Sequence, residues 1–508
     1  MTPLPAGFRI ELDPGTKQLT ADVIFGGSPA RVMRLSPAGC KALSELREGP
    51  VRTSAAAVLA RRLTDAGLAH PRPPASAQEP DVTVLIPVRD RPALLDQCLS
   101  AGSSRYPVVV VDDGSDDAEA IAAVVARHCA KLIRLPESSG PAVARNAGLS
   151  EIRTDLVAFL DSDCVPAADW IDQLAPHLAD PEVGAVAPRI VTPDAGDPGS
   201  QPSSASLYAA ACGSLDLGSQ QGRVVPATKI AYAPTAALLV RREALESVTA
   251  LGRRPVFDPA LRYGEDVDLV WRLHDAGWRI RYEPAVEIPH AGPDTWPGLL
   301  SRRFRYGTSA APLALRHPGR LAPLVLHPWP ALAVAGLLTR RPVLAAAAAT
   351  AGWLNLTRTL QRADIPANGV ARATLTAVRQ TWLGVGRYAT QFAAPALAAA
   401  LIAPGGATPA RRWSRRAVAA SLLVGPVHDA WQQRRPKLAP IRFALGHIAD
   451  DCAYGGGVWA GCLRERTLVP VTPAMSWRML RITGSASDGR DASDQRKVQP
   501  WQESGSSQ

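Results

Sequence analysis

Three short polar motifs, each following an apolar run, carry residue types able to handle a phosphorylated ligand. Residues 82–86 lead into Pro87-Val88-Arg89-Asp90, residues 108–111 into Asp112-Asp113-Gly114-Ser115, and residues 156–160 into Asp161-Ser162-Asp163. Asp161 and Asp163 alternate across a strand exit, so both would offer carboxylate oxygens to a hard divalent cation, which would neutralise a diphosphate leaving group. Asp113 could accept a hydrogen bond from a uracil N3–H, with Gly114 and Ser115 letting the base approach the backbone. Arg145, within Gly140-Pro141-Ala142-Val143-Ala144-Arg145-Asn146-Ala147-Gly148, could pair with phosphate, a structural salt bridge being the alternative. Each motif alone would read as a polar turn. Three on consecutive units point to one site.

The elements that must position these residues are visible as alternating patterns. Apolar strand-like runs at 82–86, 108–111, 131–135 and 156–160 are separated by helical segments at 92–99, 117–128 and 141–149. Parallel neighbours need such crossovers, so the spacing predicts an α/β, largely parallel, doubly wound sheet with ligands bound beyond the carboxyl ends of its strands. This domain is expected to span residues 81–310.

Before it, residues 1–72 read as a small α+β unit: two alternating runs at 8–12 and 18–25 around the Asp13-Pro14-Gly15-Thr16 turn, then helices over 36–46 and 54–66, the second closing at Gly67. Residues 73–80 are proline-rich and aperiodic, hence a linker. After it, residues 311–484 turn to alanine, leucine and clustered arginine, with three uncharged stretches at 321–339, 342–357 and 389–403 that fall short of, or barely reach, the roughly 20 residues a straight span needs. Arginine pairs on both flanks suit a segment lying at an anionic surface. The serine- and aspartate-rich tail, 485–508, is expected to be disordered.

The 508-residue chain is 46% hydrophobic and 20% charged, which excludes a disordered chain and one that is membrane-embedded throughout. Its net charge of +10 rests on arginine rather than lysine, without the aromatic-interleaved basic stripe of a nucleic-acid binder. Seven scattered cysteines form no CxxC pair, and no secretory signal opens the chain, so a reducing, cytosolic-side location is expected.

Together, the strand ending in Ile86-Pro87, the Val110-Val111-Asp112-Asp113-Gly114-Ser115 run, the Gly140 to Gly148 segment, and Phe159-Leu160-Asp161-Ser162-Asp163 resemble the family 2 glycosyltransferases with the GT-A fold. Tyr263-Gly264-Glu265-Asp266-Val267-Asp268 is similar to their acceptor motif ahead of a helix. The resemblance implies an inverting transferase that uses a nucleotide-sugar donor and a divalent metal, Mn or Mg, with Asp163 as ligand and Asp161 supporting ribose or metal. Asp266 matches the family's general base, which takes the acceptor hydroxyl's proton. A helix N-terminus would favour its ionised form. Glu265 is then a support residue and Asp268 an exposed neighbour. His290 resembles a late histidine that some members use as a further metal ligand; a core or surface role is the alternative. Arg302, Arg303 and Arg305 suit a loop closing over the diphosphate, or equally a basic collar facing lipid phosphates.

Over nearly the whole chain the order of parts is similar to the glycosyltransferases of the mycofactocin biosynthetic system. Pro5-Ala6-Gly7-Phe8-Arg9 and Arg34-Leu35-Ser36-Pro37-Ala38-Gly39 resemble PqqD-like winged-helix modules. That likeness implies glucose transfer from UDP-glucose onto a peptide-derived redox cofactor precursor and then onto a β-linked oligoglucose chain. It also implies a precursor peptide or partner protein at residues 1–72, held along a strand edge. The rival reading is a cell-envelope transferase with a lipid-linked or polysaccharide acceptor.

Overall fold

The computed structural model describes residues 1–75, 79–102, 105–193, 201–252, 254–404, 408–477 and 481–483. The expected tail, 485–508, lies outside the described residues.

The N-terminal unit holds β1 (Arg9–Leu12), β2 (Lys17–Thr20), β3 (Val23–Gly26), β4 (Arg31–Arg34), α1 (Pro37–Glu48), α2 (Ser54–Ala66) and β5 (Ala69–Arg72). Both helices start on hydroxyl caps: Ser36 accepts from the Gly39 N–H and Thr53 from the Ala56 N–H. Its strands pair differently from the expected hairpin around Asp13. β1 runs antiparallel to β5, while residues 18–25 split into β2 and β3, which pair with each other. The Asp13 N–H (2.9 Å) and Thr16 hydroxyl (2.8 Å) donate to the Leu68 carbonyl, and His70 bonds Asp13 (2.9 Å), so the turn is fastened to the strand behind α2 instead.

The central domain contains β6 (Val82–Val88), α3 (Pro92–Gly102), β7 (Val108–Asp112), α4 (Ala118–Arg127), β8 (Lys131–Arg134), α5 (Pro141–Leu149), β9 (Leu156–Leu160), α6 (Trp170–Leu174), β10 (Val183–Val191), α7 (Ser204–Cys212), β11 (Gly222–Arg223), β12 (Ala237–Arg241), α8 (Arg242–Gly252), α9 (Glu265–Asp275) and β13 (Arg279–Pro289). The sheet order is β11-β13-β10-β12-β9-β6-β7-β8. β9, β6, β7 and β8 are parallel as the spacing predicts. The sheet as a whole is mixed, because β12 lies antiparallel to both β9 and β10. Adjacent side chains feed opposite cores. Val84, Ile86, Val110, Ala158 and Leu160 enter one layer, and Leu85, Val109, Val111, Val157 and Phe159 the other. Burial on both faces is why these strands read as unbroken apolar runs.

A helical layer follows: α10 (Trp296–Thr308), α11 (Ala310–Arg316), α12 (Pro328–Leu338), α13 (Pro342–Arg362), α14 (Val370–Phe392), α15 (Ala394–Ile402), α16 (Pro409–Arg434) and α17 (Pro440–Glu465). α17 presses onto α10 so closely that a Cβ on Gly457 would lie 1.9 Å from the Phe304 carbonyl oxygen. Among the described residues, no helix is long and apolar enough to cross a membrane.

The N-terminal unit is joined to the sheet domain by buried charge. Arg61 of α2 donates Nη1 and Nη2 to the two Asp180 oxygens, both at 2.7 Å, and neither side chain is more than 1% exposed. Asp180→Ala would strand the guanidinium and cost about 3–5 kcal/mol of unfolding free energy by urea titration, most of it recovered in Arg61→Leu/Asp180→Leu. A loss below about 1 kcal/mol in the single variant would mean that the seam is solvated rather than buried.

Candidate active site

The acidic residues converge beyond the carboxyl ends of β6, β7 and β9. β13 contributes from the far side of the sheet. The Val165 N–H donates to the Pro289 carbonyl (2.8 Å) and the Ala291 N–H to the Asp163 carbonyl (2.9 Å), which sets His290 against the turn after β9. There, ligand atoms of Asp161, Asp163 and His290 all lie within 4.8 Å of one another. His290 Nε2 is 3.2 Å from Asp163 Oδ1, and Arg91 Nη1 donates to Asp163 Oδ2 at 2.7 Å. Burial pushes the Asp163 carboxyl up, but the His290 hydrogen bond and the charges of His290, Arg91 and Arg302 outweigh it and hold the group at about 2. Two carboxylates and an imidazole converging on one point fit a divalent cation. Arg91 escaped the sequence reading, although it directly follows the Arg89-Asp90 pair singled out there.

A second acidic group lies across Arg145. Arg145 is 4% exposed; Nη2 donates to Asp161 (2.7 Å) and Nη1 to Glu265 (2.9 Å), and the guanidinium sits 5.5 Å from the Phe257 ring centroid. The structure thus shows the salt-bridge arrangement, with one N–H of each terminal nitrogen directed at a carboxylate. Glu265 opens α9 and Asp266 follows it, accepting the Val267 N–H at 2.8 Å. The Asp266 carboxyl is pushed up to about 7, first by burial, then by the charge of Glu265; Asp161 adds to the rise, while the Val267 N–H and Arg145 oppose it. The helix dipole alone predicts the opposite sign, and burial wins. Asp268, expected to be exposed, is buried: it accepts from Arg272 (2.8 Å) and bonds His317 (2.9 Å), and so anchors α9 rather than facing a ligand.

The first two motifs are bound into the scaffold. Asp113 accepts from the Ser138 hydroxyl (3.1 Å) and from the Ser139 (2.8 Å) and Gly140 (2.9 Å) N–H groups, which leaves about one of a carboxylate's four acceptor directions for a base. Gly114 has φ +66°, and a Cβ there would meet the backbone of Glu137 and Ser138 at 2.6 Å, so its own chain, not an approaching base, requires glycine. Ser115 accepts the Asp90 N–H (3.0 Å) and joins the ends of β6 and β7. Pro87 and Val88 lie within β6, and the Val88 side chain enters the core, leaving only backbone to line a site. Arg89 is exposed and donates to Ser138 (2.7 Å); with Asp90, Arg91 and Ser162 it lines an open cleft of about 410 Å³.

The arginines at 302–305 lie on α10, not on a loop, because Thr295 caps the helix and Pro297 follows in its first turn. Their faces diverge. Arg302 is half-buried and its charge acts on Asp163. Arg303 turns away to Asp450 (2.6 Å) and the Tyr454 ring, and exposed Arg305 donates back to Ser301 (3.3 Å). Tyr306, not singled out from the sequence, lies where it feels Arg302, Asp266, Asp161 and Asp163, and packs edge-on against Tyr263 with ring centroids 6.4 Å apart.

Comparison with known proteins adds the chemistry class. The family described as Glycosyl transferase family 2 matches residues 83–249. The chain is 37% identical over 486 residues to the pre-mycofactocin glycosyltransferase of Mycobacterium tuberculosis (strains CDC 1551 / Oshkosh and H37Rv), covering 93% of this chain and 98% of the relative. It is 33% identical over 245 residues to an N-acetylglucosaminyltransferase of Rhizobium meliloti (strain 1021), covering 45% of this chain and 55% of that protein. Among solved structures it is similar to a mannosyltransferase of Pyrobaculum calidifontis in complex with GDP-Man and Mn2+ (TM-score 0.37, 22% identity, 70% of this chain and 89% of that one).

Should the Asp161, Asp163 and His290 cluster hold a cation, Asp163→Ala and His290→Ala will each weaken Mn2+ binding by about 10-fold or more, read as free Mn2+ by electron paramagnetic resonance. Affinity equal to that of the unaltered protein in both variants would remove the cluster as the metal site.

Proposed function

Since the chain belongs to the mycofactocin-system family 2 glycosyltransferases, with their GT-A-like α/β fold, we propose that it moves glucose from UDP-glucose, with inversion, onto a peptide-derived redox cofactor precursor. Further glucose then extends a β-linked chain. The observation that carries this reading is the cluster of Asp161, Asp163 and His290, with Asp161 joined through Arg145 to Glu265, the neighbour of Asp266.

In this mechanism Asp161, Asp163 and His290 would hold Mn or Mg, which would supply positive charge for the departing diphosphate. Arg302 adds positive charge on the same side, and Asp113 with the backbone at Pro87 and Val88 receives the uridine. Asp266 removes the acceptor hydroxyl's proton. A carboxyl poised near 7 is suited to that task, being unprotonated often enough to act and basic enough to pull. Glu265 keeps it there by like charge, and Arg145, bonded to both Glu265 and Asp161, places a positive charge among these carboxylates. Tyr263 and Tyr306 wall the acceptor side.

We propose further that residues 1–72 form a PqqD-like module that recruits the precursor peptide or a partner along β2, an edge strand whose residues are mostly exposed. The helical layer, 311–484, would lie on the cytosolic face of a membrane. Exposed Val343 and Trp413 lie close in sequence to Arg341 and Arg412, and Arg340 donates to the Arg411 carbonyl, in support of that. Sedimentation with anionic vesicles at low salt tests the attachment, and protein left wholly in the supernatant contradicts it.

Asp266→Asn should retain UDP binding within about 3-fold while kcat falls about 100-fold or more. If binding collapses and kcat survives, Asp266 is a binding residue instead. In the unaltered enzyme kcat should rise with pH through about 7 as Asp266 loses its proton. Glu265→Gln removes a negative neighbour, so the Asp266 proton is lost more readily and the acid limb moves to lower pH. An unmoved or raised limb would contradict the assignment of Asp266 as the titrating base.

A further inference from the structure

At the seam between the N-terminal unit and the sheet, a whole charged side chain is buried with its hydrogen bonds unmade. Arg281 of β13 is 3% exposed, and its Nε, Nη1 and Nη2 atoms have no hydrogen-bond partner among the described residues. The residue directly opposite it in the antiparallel pairing is Arg223 of β11. Like charges face to face across a ladder repel, and a buried cation without a partner is costly.

The carboxylates nearby do not relieve this, because each is committed elsewhere. Both Asp65 oxygens go to Arg279 at 2.8 Å, and both Asp180 oxygens to Arg61. Glu283 takes Arg72 (3.1 Å), His177 (3.2 Å) and Gln221. Burial pushes the guanidinium groups of Arg281 and Arg223 down to about 10 even so. β11 is the edge strand of the sheet and Arg223 is half-buried, so the member of the pair with solvent-facing surface is Arg223.

We propose that Arg281 and Arg223 form a binding site for a small oxyanion of the phosphate or carboxylate class, distinct from the transferase site. Guanidinium groups present planar donor forks that match such anions, and one bound anion would supply both the missing hydrogen bonds and the missing negative charge. Bound there, it would tie β11 to β13, the strand that ends beside His290.

Two sources share this chemistry: a free oxyanion, and a carboxylate from residues beyond 483. The strand Arg481–Thr483 pairs with β4 alongside Arg31, and Asp488, Asp491 and Asp494 follow it in sequence. The test is the unfolding temperature of the full chain, and of a chain ending at Thr483, titrated with inorganic phosphate against chloride of equal ionic strength. The expected result is a saturable rise of about 2 °C or more with phosphate. Arg281→Met should abolish it, and in phosphate-free buffer that variant should melt no lower than the unaltered chain. Should Arg281→Met not fold, Arg223→Gln must reduce the rise. A rise in both chain lengths assigns a free oxyanion, and a rise confined to the shortened chain assigns the chain's own carboxylate. No phosphate-specific rise in either, meaning a guanidinium satisfied by water, overturns the proposal. So does an equal rise in the variants, meaning general exclusion of phosphate from the protein surface.

Discussion

One buried guanidinium has to serve three carboxylates. Arg145 is hydrogen-bonded to Asp161 and Glu265, and its charge also reaches Asp266. Without it, three acidic groups would crowd one place with no guanidinium between them. Arg145 holds Asp161 by a hydrogen bond beside Asp163 and His290, and its charge opposes the rise of the Asp266 carboxyl. It sits on α5, whose entrance is fastened by Asp113 through Ser138, Ser139 and Gly140. The motif expected to read a base thus also holds the helix that carries the charge.

That arrangement explains how the site is divided. On one side, Asp163 is held strongly acidic by His290, Arg91 and Arg302, as suits a group that must remain ionised. On the other, Asp266 is raised by burial and by Glu265, as suits a group that must exchange a proton. In the proposed mechanism, two carboxylates of the same type take different tasks from their surroundings. α10 contributes to both through Arg302 and Tyr306. Its position is set from behind, by the Arg303 to Asp450 pair and by the glycine contact with α17, so the helical layer is part of the site's construction.

Much of this was legible in the sequence, for physical reasons that also mark the limit. β6, β7 and β9 are buried on both faces and end in acids, so composition and spacing reveal them together with Asp161 and Asp163, whereas Asp266, at the start of a helix, is reached only through the family resemblance. β12 reads as another apolar run, but nothing local says that it lies antiparallel between β9 and β10. The pairing of β1 with β5 depends on Asp13 meeting Leu68 and His70, contacts across more than fifty residues. Whether an arginine meets phosphate or carboxylate is decided by what folds opposite it. For this reason Arg145 could be located but not assigned, and Asp268, read as exposed, proved to be an anchor. The upward shift of Asp266 was out of reach because it depends on burial against elements distant in sequence.

The central claim is that Arg145 couples the metal side of the site to the proton-accepting side. Arg145→Met, checked to be folded by circular dichroism, should therefore change both sides at once. Mn2+ affinity should fall as Asp161 loses its partner, and the acid limb of kcat should move above pH 7 as Asp266 loses a stabilising positive charge. A folded variant whose Mn2+ affinity and acid limb both match those of the unaltered enzyme would contradict the account.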